Sequence, residues 1–165
     1  MYFDIVPKCD KVLLERLHYL GFNRVLYIED GLLHDCEKKG FELKVYGGKD
    51  INVFVQKHKT DIVTDLEINN ILLDKGLCSK LKENGMFVIF KLKNLLESTE
   101  FFRTYKNILI NAKLCYDHDV NCMFASFSSD YKEVKAPMQL VAFAEHMNYR
   151  FDRVLRSYLN MEKRL

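Results

Sequence analysis

The sequence predicts an α/β protein: a small TIM-like barrel, closed or short of strands, in which parallel strands alternate with helices. Three observations lead there. Short runs that are apolar on both faces recur along the chain and are separated by segments of helical spacing, the pattern of parallel βαβ units. Right-handed crossovers between such units leave two main outcomes, a doubly wound sheet or a barrel. Neither GxGxxG nor GxxxxGK[ST] occurs, so the nucleotide-binding doubly wound folds lose their signature and the barrel is favoured. At 165 residues the chain suffices for one domain with a real core, and we read residues 1–165 as that single domain.

The elements follow in order. Phe3–Val6 is a short apolar strand. Asp10 caps a helix in which Val12, Leu13, Leu17 and Leu20 recur at helical spacing, and Gly21 ends it. Arg24–Ile28 is a second strand. A short segment, Leu32–Lys39, stops at Gly40. Phe41–Tyr46 is a third strand and Asp50–His58 a short helix. Asp61–Asp65 is a fourth strand. Leu77–Glu83 is a helix closed by Asn84-Gly85. Met86–Phe90 is a fifth strand. Phe101–His118 is the longest helix, with Tyr105, Ile108, Leu109, Ala112 and Tyr116 on one side. Cys122–Ala125 is a sixth strand, and helices follow at Pro137–Met147 and Asp152–Met161.

Composition narrows the function classes. Apolar residues make up 48% and charged residues 29% of the chain, an ordinary globular balance. The N-terminus MYFDIVPKCD has an acid at position 4 and no long apolar stretch, unlike a secretory signal. No run approaches the roughly 18 apolar residues of a membrane span, so a soluble intracellular protein with no membrane partner is expected. The five cysteines, at 9, 36, 78, 115 and 122, form no CxxC pair, and reduced, mostly buried thiols are the expectation.

The net charge is only +2, but it is unevenly placed. From Lys80 to Lys113 seven basic residues face three acids, and four of the seven arginines, Arg150, Arg153, Arg156 and Arg164, lie in the last sixteen residues. Basic patches on a nearly neutral chain point to local contact with an anion; solvated helix faces are the alternative.

In a barrel of this kind the chemistry belongs at the C-terminal ends of the strands. The sequence puts Val6-Pro7, Glu29-Asp30, Gly47-Gly48, Asp65 to Glu67, Lys91 to Lys93 and Ser126 to Ser129 there. A stand-alone barrel metallophosphoesterase would need histidines beside carboxylates at those ends. His18, His34, His58, His118 and His146 form no HxH pair and mostly fall in or at the ends of helices. A carboxylate site from Glu29, Asp30, Asp65 and Glu67 is the remaining metal candidate, against the commoner role of such acids as caps. No GxSxG elbow surrounds the serines. We therefore assign no catalytic and no metal-ligating residue, and expect no cofactor bound by the protein.

ASFSSDYKEVKAP, at 125–137, is the most distinctive stretch. An apolar strand ends in Ser126, Ser128 and Ser129, and Lys135 stands before a proline-led helix. Hydroxyls, a lysine and a helix N-terminus suit phosphate oxygens. Equally, the serines could satisfy loop backbone groups and Lys135 be solvated. Together with MFVIFKLKNLLES (Lys91, Lys93, Leu95, Leu96) and the following helix with its early Arg103, this stretch resembles the ribonuclease P protein component 3 family, the barrel-shaped protein subunit of archaeal and eukaryotic ribonuclease P. The resemblance covers Gly76 to Leu159. It departs from the family at Phe127, where a Gly is usual, and at Lys135, where an Arg is common; the chain is also short for the family.

The resemblance implies a subunit that supports RNA-catalysed removal of 5′ leaders from precursor tRNA. The RNA would perform the cleavage and hold Mg²⁺, while the protein binds and positions RNA through Lys91, Lys93, Arg103, Lys106, Ser126, Ser128 and Lys135. It also implies docking of a small ferredoxin-like subunit among other ribonuclease P proteins. Aromatic and apolar groups beyond the needs of one barrel face mark that surface: Phe101, Phe102, Tyr105, Phe151, Leu155 and Tyr158. The compartment would be the cytoplasm in an archaeon and the nucleus in a eukaryote.

Overall fold

A computed structural model describes residues 2–38, 42–57, 60–130 and 132–164. It contains, in chain order, β1 (Phe3–Val6), α1 (Lys11–Tyr19), β2 (Arg24–Glu29), β3 (Leu32–Asp35), β4 (Leu43–Tyr46), α2 (Ile51–Gln56), β5 (Ile62–Thr64), α3 (Lys75–Glu83), β6 (Phe87–Lys91), α4 (Leu92–Leu96), α5 (Phe101–Asp117), β7 (Asn121–Ala125), α6 (Pro137–His146) and α7 (Phe151–Glu162). The strands form one sheet in chain order, β1 to β7. It curls into a nearly closed barrel, with Phe127 N–H donating to Ile5 O at 3.1 Å where β7 returns beside β1. The TIM-like reading holds.

The local signals act as the sequence suggests. The Asp10 carboxylate accepts from Val12 N and Leu13 N at the start of α1. Gly21 and Gly85, at the ends of α1 and α3, take positive φ of 98° and 59°. The predicted strand Phe41–Tyr46 is observed from Leu43; Phe41 and the Gly40 stop lie outside the described residues, as does His58 at the end of the predicted second helix.

The segment after β2 departs from the all-parallel expectation. Leu32–Asp35 is a strand antiparallel to both neighbours, with Glu29 paired to Leu32 and Leu33 to Leu43. The cause is local: Asp30 and Gly31 take φ of 50° and 75°. Two positive-φ residues in a two-residue loop make the primed hairpin turn whose twist matches the strands, and Asp-Gly is its preferred sequence. The remaining adjacent pairs, β1–β2, β4–β5, β5–β6 and β6–β7, are parallel.

A second departure is α4. The Leu-Leu pair after β6 belongs to a five-residue helix, which turns Leu92 and Leu95 into the core. On α5 the buried face holds Ile108 and Ala112 as expected, but also Cys115, Thr104, Asn107 and Asn111. Tyr105, Leu109 and Tyr116 are only half-buried. The asparagines are buried because the long loop after β5 needs partners. Asn111 Oδ1 accepts from Leu73 N at 2.8 Å and its Nδ2 donates to Ile71 O at 2.8 Å. Asn107 Nδ2 donates to Asn70 Oδ1 at 2.9 Å and Glu67 O at 3.3 Å.

No eighth strand follows β7 among the described residues; α7 covers the seam between β7 and β1 instead. On the β7 side, Cys122 N–H is taken by the hydroxyls of Tyr149 (3.0 Å) and Ser157 (3.1 Å). On the β1 side, Tyr158 meets Phe3 edge to face with ring centres 4.9 Å apart, an arrangement worth about 0.5–1.5 kcal/mol beyond burial. Cys78, Cys115 and Cys122 are buried, and Cys9 and Cys36 half-buried. No helix of the described residues is long and apolar enough to cross a membrane.

Candidate functional site

At the C-terminal ends of β5 and β6 an acid and a lysine face each other. Asp65 takes φ of 61°, and its carboxylate accepts from Lys91 Nζ and Asn94 Nδ2, both at 2.8 Å. Asn94 Nδ2 also donates to Glu67 Oε1 at 2.8 Å. Gly47, just after β4, leaves room for this arrangement, because a Cβ at that position would meet the Asp65 carboxylate where it now sits. Glu67 is fully buried and its Oε2 has no partner among the described residues. Burial raises the Glu67 carboxyl above its ordinary range and the neighbouring Asp65 adds to this; the Asn94 bond opposes. The Lys91 ammonium also lies 4.3 Å from the centre of the Phe127 ring, a cation–π contact. Lys91 is thus engaged on two sides and its side chain is only 12% exposed.

Across the seam, Asp4 of β1 is fully buried, with no lysine or arginine paired to it among the described residues. Its Oδ1 accepts from Ser126 N at 2.9 Å and Ile5 N at 2.8 Å, and its Oδ2 accepts from the Ser126 hydroxyl. Burial pushes the Asp4 carboxyl up to about 6, with those hydrogen bonds pulling the other way. The first serine of the distinctive stretch therefore helps close the barrel. Ser128 is likewise buried; its oxygen accepts from Asp130 N at 3.1 Å and lies 3.2 Å from Glu133 Oε2. Of the three serines only Ser129 is exposed.

Two predicted residues do converge. Lys93, in the first turn of α4, has its N–H on Ser126 O at 3.2 Å. Lys93 and Lys135 line one cavity of about 220 Å³ with Leu92, Leu96, Ser126, Ser128, Glu97 and Glu133. Lys93 Nζ is 3.4 Å from Ser129 Oγ and 3.7 Å from Glu97 Oε1. Both lysines are partly exposed. Lys135 adjoins the start of α6, where Pro137 occupies the first turn and Gln139 Oε1 caps Ala136 N at 2.8 Å.

Arg103 stands in a different setting. It lines a separate cavity of about 310 Å³ with Ile68, Asn94, Glu97, Ser98, Thr99, Glu100 and Thr104, and it pairs with Glu100 three residues earlier. Asn94 and Glu97 place this cavity against α4 as well, with Glu97 common to both cavities. Lys106 is exposed one turn further along α5. The basic residues expected along one rim thus fall into three settings: Lys91 turned inward, Lys93 with Lys135, and Arg103 across α4.

The predicted partner surface divides too. Phe102 is 85% exposed and Phe101 44%, with their rings edge to face at 5.7 Å. Tyr105 is half-buried, its hydroxyl 3.1 Å from His146 Nε2. Phe151 is exposed and Leu155 half-buried. Tyr158 is corrected: it is 2% exposed, because the first strand needs an aromatic cover where an eighth strand is missing.

Of the metal candidates, Glu29 and Asp30 sit at the β2–β3 hairpin, while Asp65 and Glu67 are tied to Lys91 and Asn94. Among the described residues no three His, Cys, Asp or Glu side chains are grouped to hold a metal ion. The sequence reading missed Asp4 and Asn94. An acid flanked by apolar residues in a four-residue strand, FDIV, was the available signal for Asp4; nothing marked Asn94.

No protein-family model and no curated protein matches the chain. Among solved structures the chain is similar to one in a cryo-EM structure of archaeal ribonuclease P with mature tRNA. The TM-score is 0.64 at 15% identity, over 98% of this chain and 90% of that one. At that identity the likeness shows the fold.

Proposed function

We propose that this protein is a subunit of ribonuclease P that supports RNA-catalysed removal of 5′ leaders from precursor tRNA by binding and positioning RNA. The observation that carries the proposal is the convergence of Lys93 and Lys135 on one cavity at the barrel rim, beside the start of α6. It occurs in a chain whose fold is shared nearly end to end with a chain of the archaeal ribonuclease P assembly. Two partly exposed ammonium groups over a hydroxyl-bearing loop suit a phosphodiester backbone. Arg103 and Lys106 add two further cations across α4, interspersed with Glu97 and Glu100. Ser126 and Ser128 act one step back, by shaping the loop that presents Lys135. Catalysis and Mg²⁺ belong to the RNA in this reading, and the protein's part is placement.

The exposed pair Phe101 and Phe102, with Tyr105, Phe151 and Leu155, is proposed as the docking surface for a small ferredoxin-like subunit. Co-purification tests that part, and a chain that stays monomeric beside that subunit refutes it.

Reconstitution tests the main reading. Precursor tRNA is incubated with Mg²⁺ and the protein, with and without a cognate ribonuclease P RNA and the other subunits. Cleavage should rise on adding the protein only when the RNA is present. Metal-dependent cleavage by the protein alone would replace this reading with that of a barrel metallophosphoesterase.

A further inference from the structure

The four arginines near the C-terminus gather at the opposite end of the barrel, where the strands begin. Asp119, in the turn before β7, takes φ of 60°, and three cations converge on its carboxylate. Arg153 pairs with it directly, Arg156 Nη1 lies at 3.2 Å and Lys82 Nζ, from the last turn of α3, at 3.4 Å. Arg150, the residue that caps the start of α7, continues the row, with Nη1 3.4 Å from the Tyr116 hydroxyl and Nε 3.4 Å from Asp152. The Arg153 guanidinium lies 5.6 Å from the Tyr116 ring centre. Arg164 acts elsewhere, reaching Asp61 at 3.4 Å and Asn84 O at 3.5 Å, which ties α7 to the starts of β5 and β6.

Four cations, Arg150, Arg153, Arg156 and Lys82, stand over two carboxylates, Asp119 and Asp152, a surplus of two that Glu83 beside them lowers to one. Arg150 at the cap and Arg153 and Arg156 on α7 are three residues apart, and like charges at that spacing repel. Asp119 and Asp152 offset part of that repulsion and leave the row cationic. Arg156 and Lys82 remain more than half exposed, at 55% and 53%, and Arg150 is 71% exposed. A cavity of about 440 Å³ opens beside them, lined by Ser79, Lys82, Glu83, Asp117, His118 and Asp119. Of its acids, Asp117 is already paired with Lys113 at 2.9 Å. Arginine donors held in register by a tyrosine and an aspartate suit phosphate oxygens spaced along a backbone.

We infer that this end of the barrel is a second binding surface for RNA phosphates, formed by Arg150, Arg153, Arg156 and Lys82 around Asp119. It takes backbone and not bases, since the cluster is cationic and the Tyr116 ring beside it carries the Arg153 guanidinium. Two such surfaces at opposite ends of one rigid barrel make the protein a spacer between two RNA segments. The inference rests on the RNA reading of the rim, and the experiment separates the two.

The test measures binding of a fluorescein-labelled RNA hairpin by the whole chain, across about 50–200 mM KCl. Four proteins are compared: the parent, Arg150→Ala with Arg156→Ala, Lys93→Ala with Lys135→Ala, and the quadruple variant. Arg153 is left in place because it anchors Asp119, and circular dichroism checks each fold. The arginine variant should bind about ten-fold more weakly at low salt, with a log–log salt slope flatter by about one to two units. The quadruple variant should lose both contributions. Parent-like affinity and slope in the arginine variant overturn the second surface. A loss confined to the arginine variant keeps the second surface and overturns the rim. No binding by the parent overturns both. If polyglutamate displaces the arginine-dependent component as well as RNA of equal charge does, the face belongs to an acidic protein and the proposal falls.

Discussion

Two carboxylates at the same end of this barrel, Asp65 half-buried and Asp4 fully buried, have different surroundings. On the β5–β6 side Asp65 has a lysine at 2.8 Å and an asparagine amide beside it. At the seam Asp4 has, among the described residues, a serine hydroxyl and two backbone amides for partners. The first arrangement cancels charge with charge. The second leaves the charge to hydrogen bonds, and the carboxyl rises to about 6. The difference shows which basic residues the rim can offer. Lys91 is held inside by its acid, so Lys93, two residues on and at the start of a helix, is the lysine that reaches outward.

Breaking the charged side should have the largest effect. Lys91→Met leaves Asp65 and Glu67 together without a cation and should cost about 2–4 kcal/mol in urea denaturation. Adding Asp65→Asn, which tolerates the left-handed backbone, should recover more than about 1 kcal/mol of this. If Lys91→Met is neutral, the inner ion pair has no structural role and Lys91 is as available as Lys93.

The seam should respond in the opposite sense. Folding raises the Asp4 carboxyl from 3.8 to about 6, so the folded chain binds the extra proton between those values. Stability from this group is present at low pH and is lost as pH rises through about 6. Asp4→Asn keeps an acceptor for the Ser126 and Ile5 amides and removes the charge. It should therefore match or exceed the parent above pH 7 by up to about 1–3 kcal/mol, and the gap should close towards pH 4. A pH-independent gap between the two chains would refute this account.

A smaller effect is expected from the loop that carries Glu67. Asn111→Ala removes the partners of Leu73 N and Ile71 O and should cost about 1–2 kcal/mol. Hydrogen exchange should rise in residues 66–74 before it rises at Asp4. Smallest of all, Lys93→Ala with Lys135→Ala should change stability by less than about 0.5 kcal/mol. It should still weaken RNA binding, with each lost contact flattening the salt slope by about one unit. A large loss of stability here would mean that these lysines hold the fold.

Much of the fold is legible because its signals are local. Asp10, Gly21 and Asn84-Gly85 mark helix ends by backbone chemistry that needs no tertiary contact. Asp30-Gly31 announces the hairpin, yet the alternation of strands and helices around it suggests a crossover instead. The site is less legible, since it depends on which way a side chain turns. Lys91 and Lys93 look equivalent in KLKN, yet one ends a strand and faces an acid twenty-six residues away in sequence. The serines look like ligands because hydroxyls serve loops and phosphates alike. Asp4 is what decides for Ser126, and it lies 122 residues away. Tyr158 cannot be told from Phe151 by type, and only the missing strand explains why it is inside.

The pairing of β1 with α7 has a consequence for how the chain is made. Phe3 leaves the ribosome well before its aromatic cover, Tyr158, which is synthesised 155 residues later. Until then the first strand has β2 on one side and, once residues 126–127 are made, the end of β7 on the other, with Phe3 still lacking the Tyr158 ring. The barrel must stay ajar while the intervening elements are made, and its closure is a late, long-range event that loop entropy makes slow. Nascent chains stalled before α7 should bind holding chaperones through residues 3–6, and their release should coincide with the appearance of the last helix.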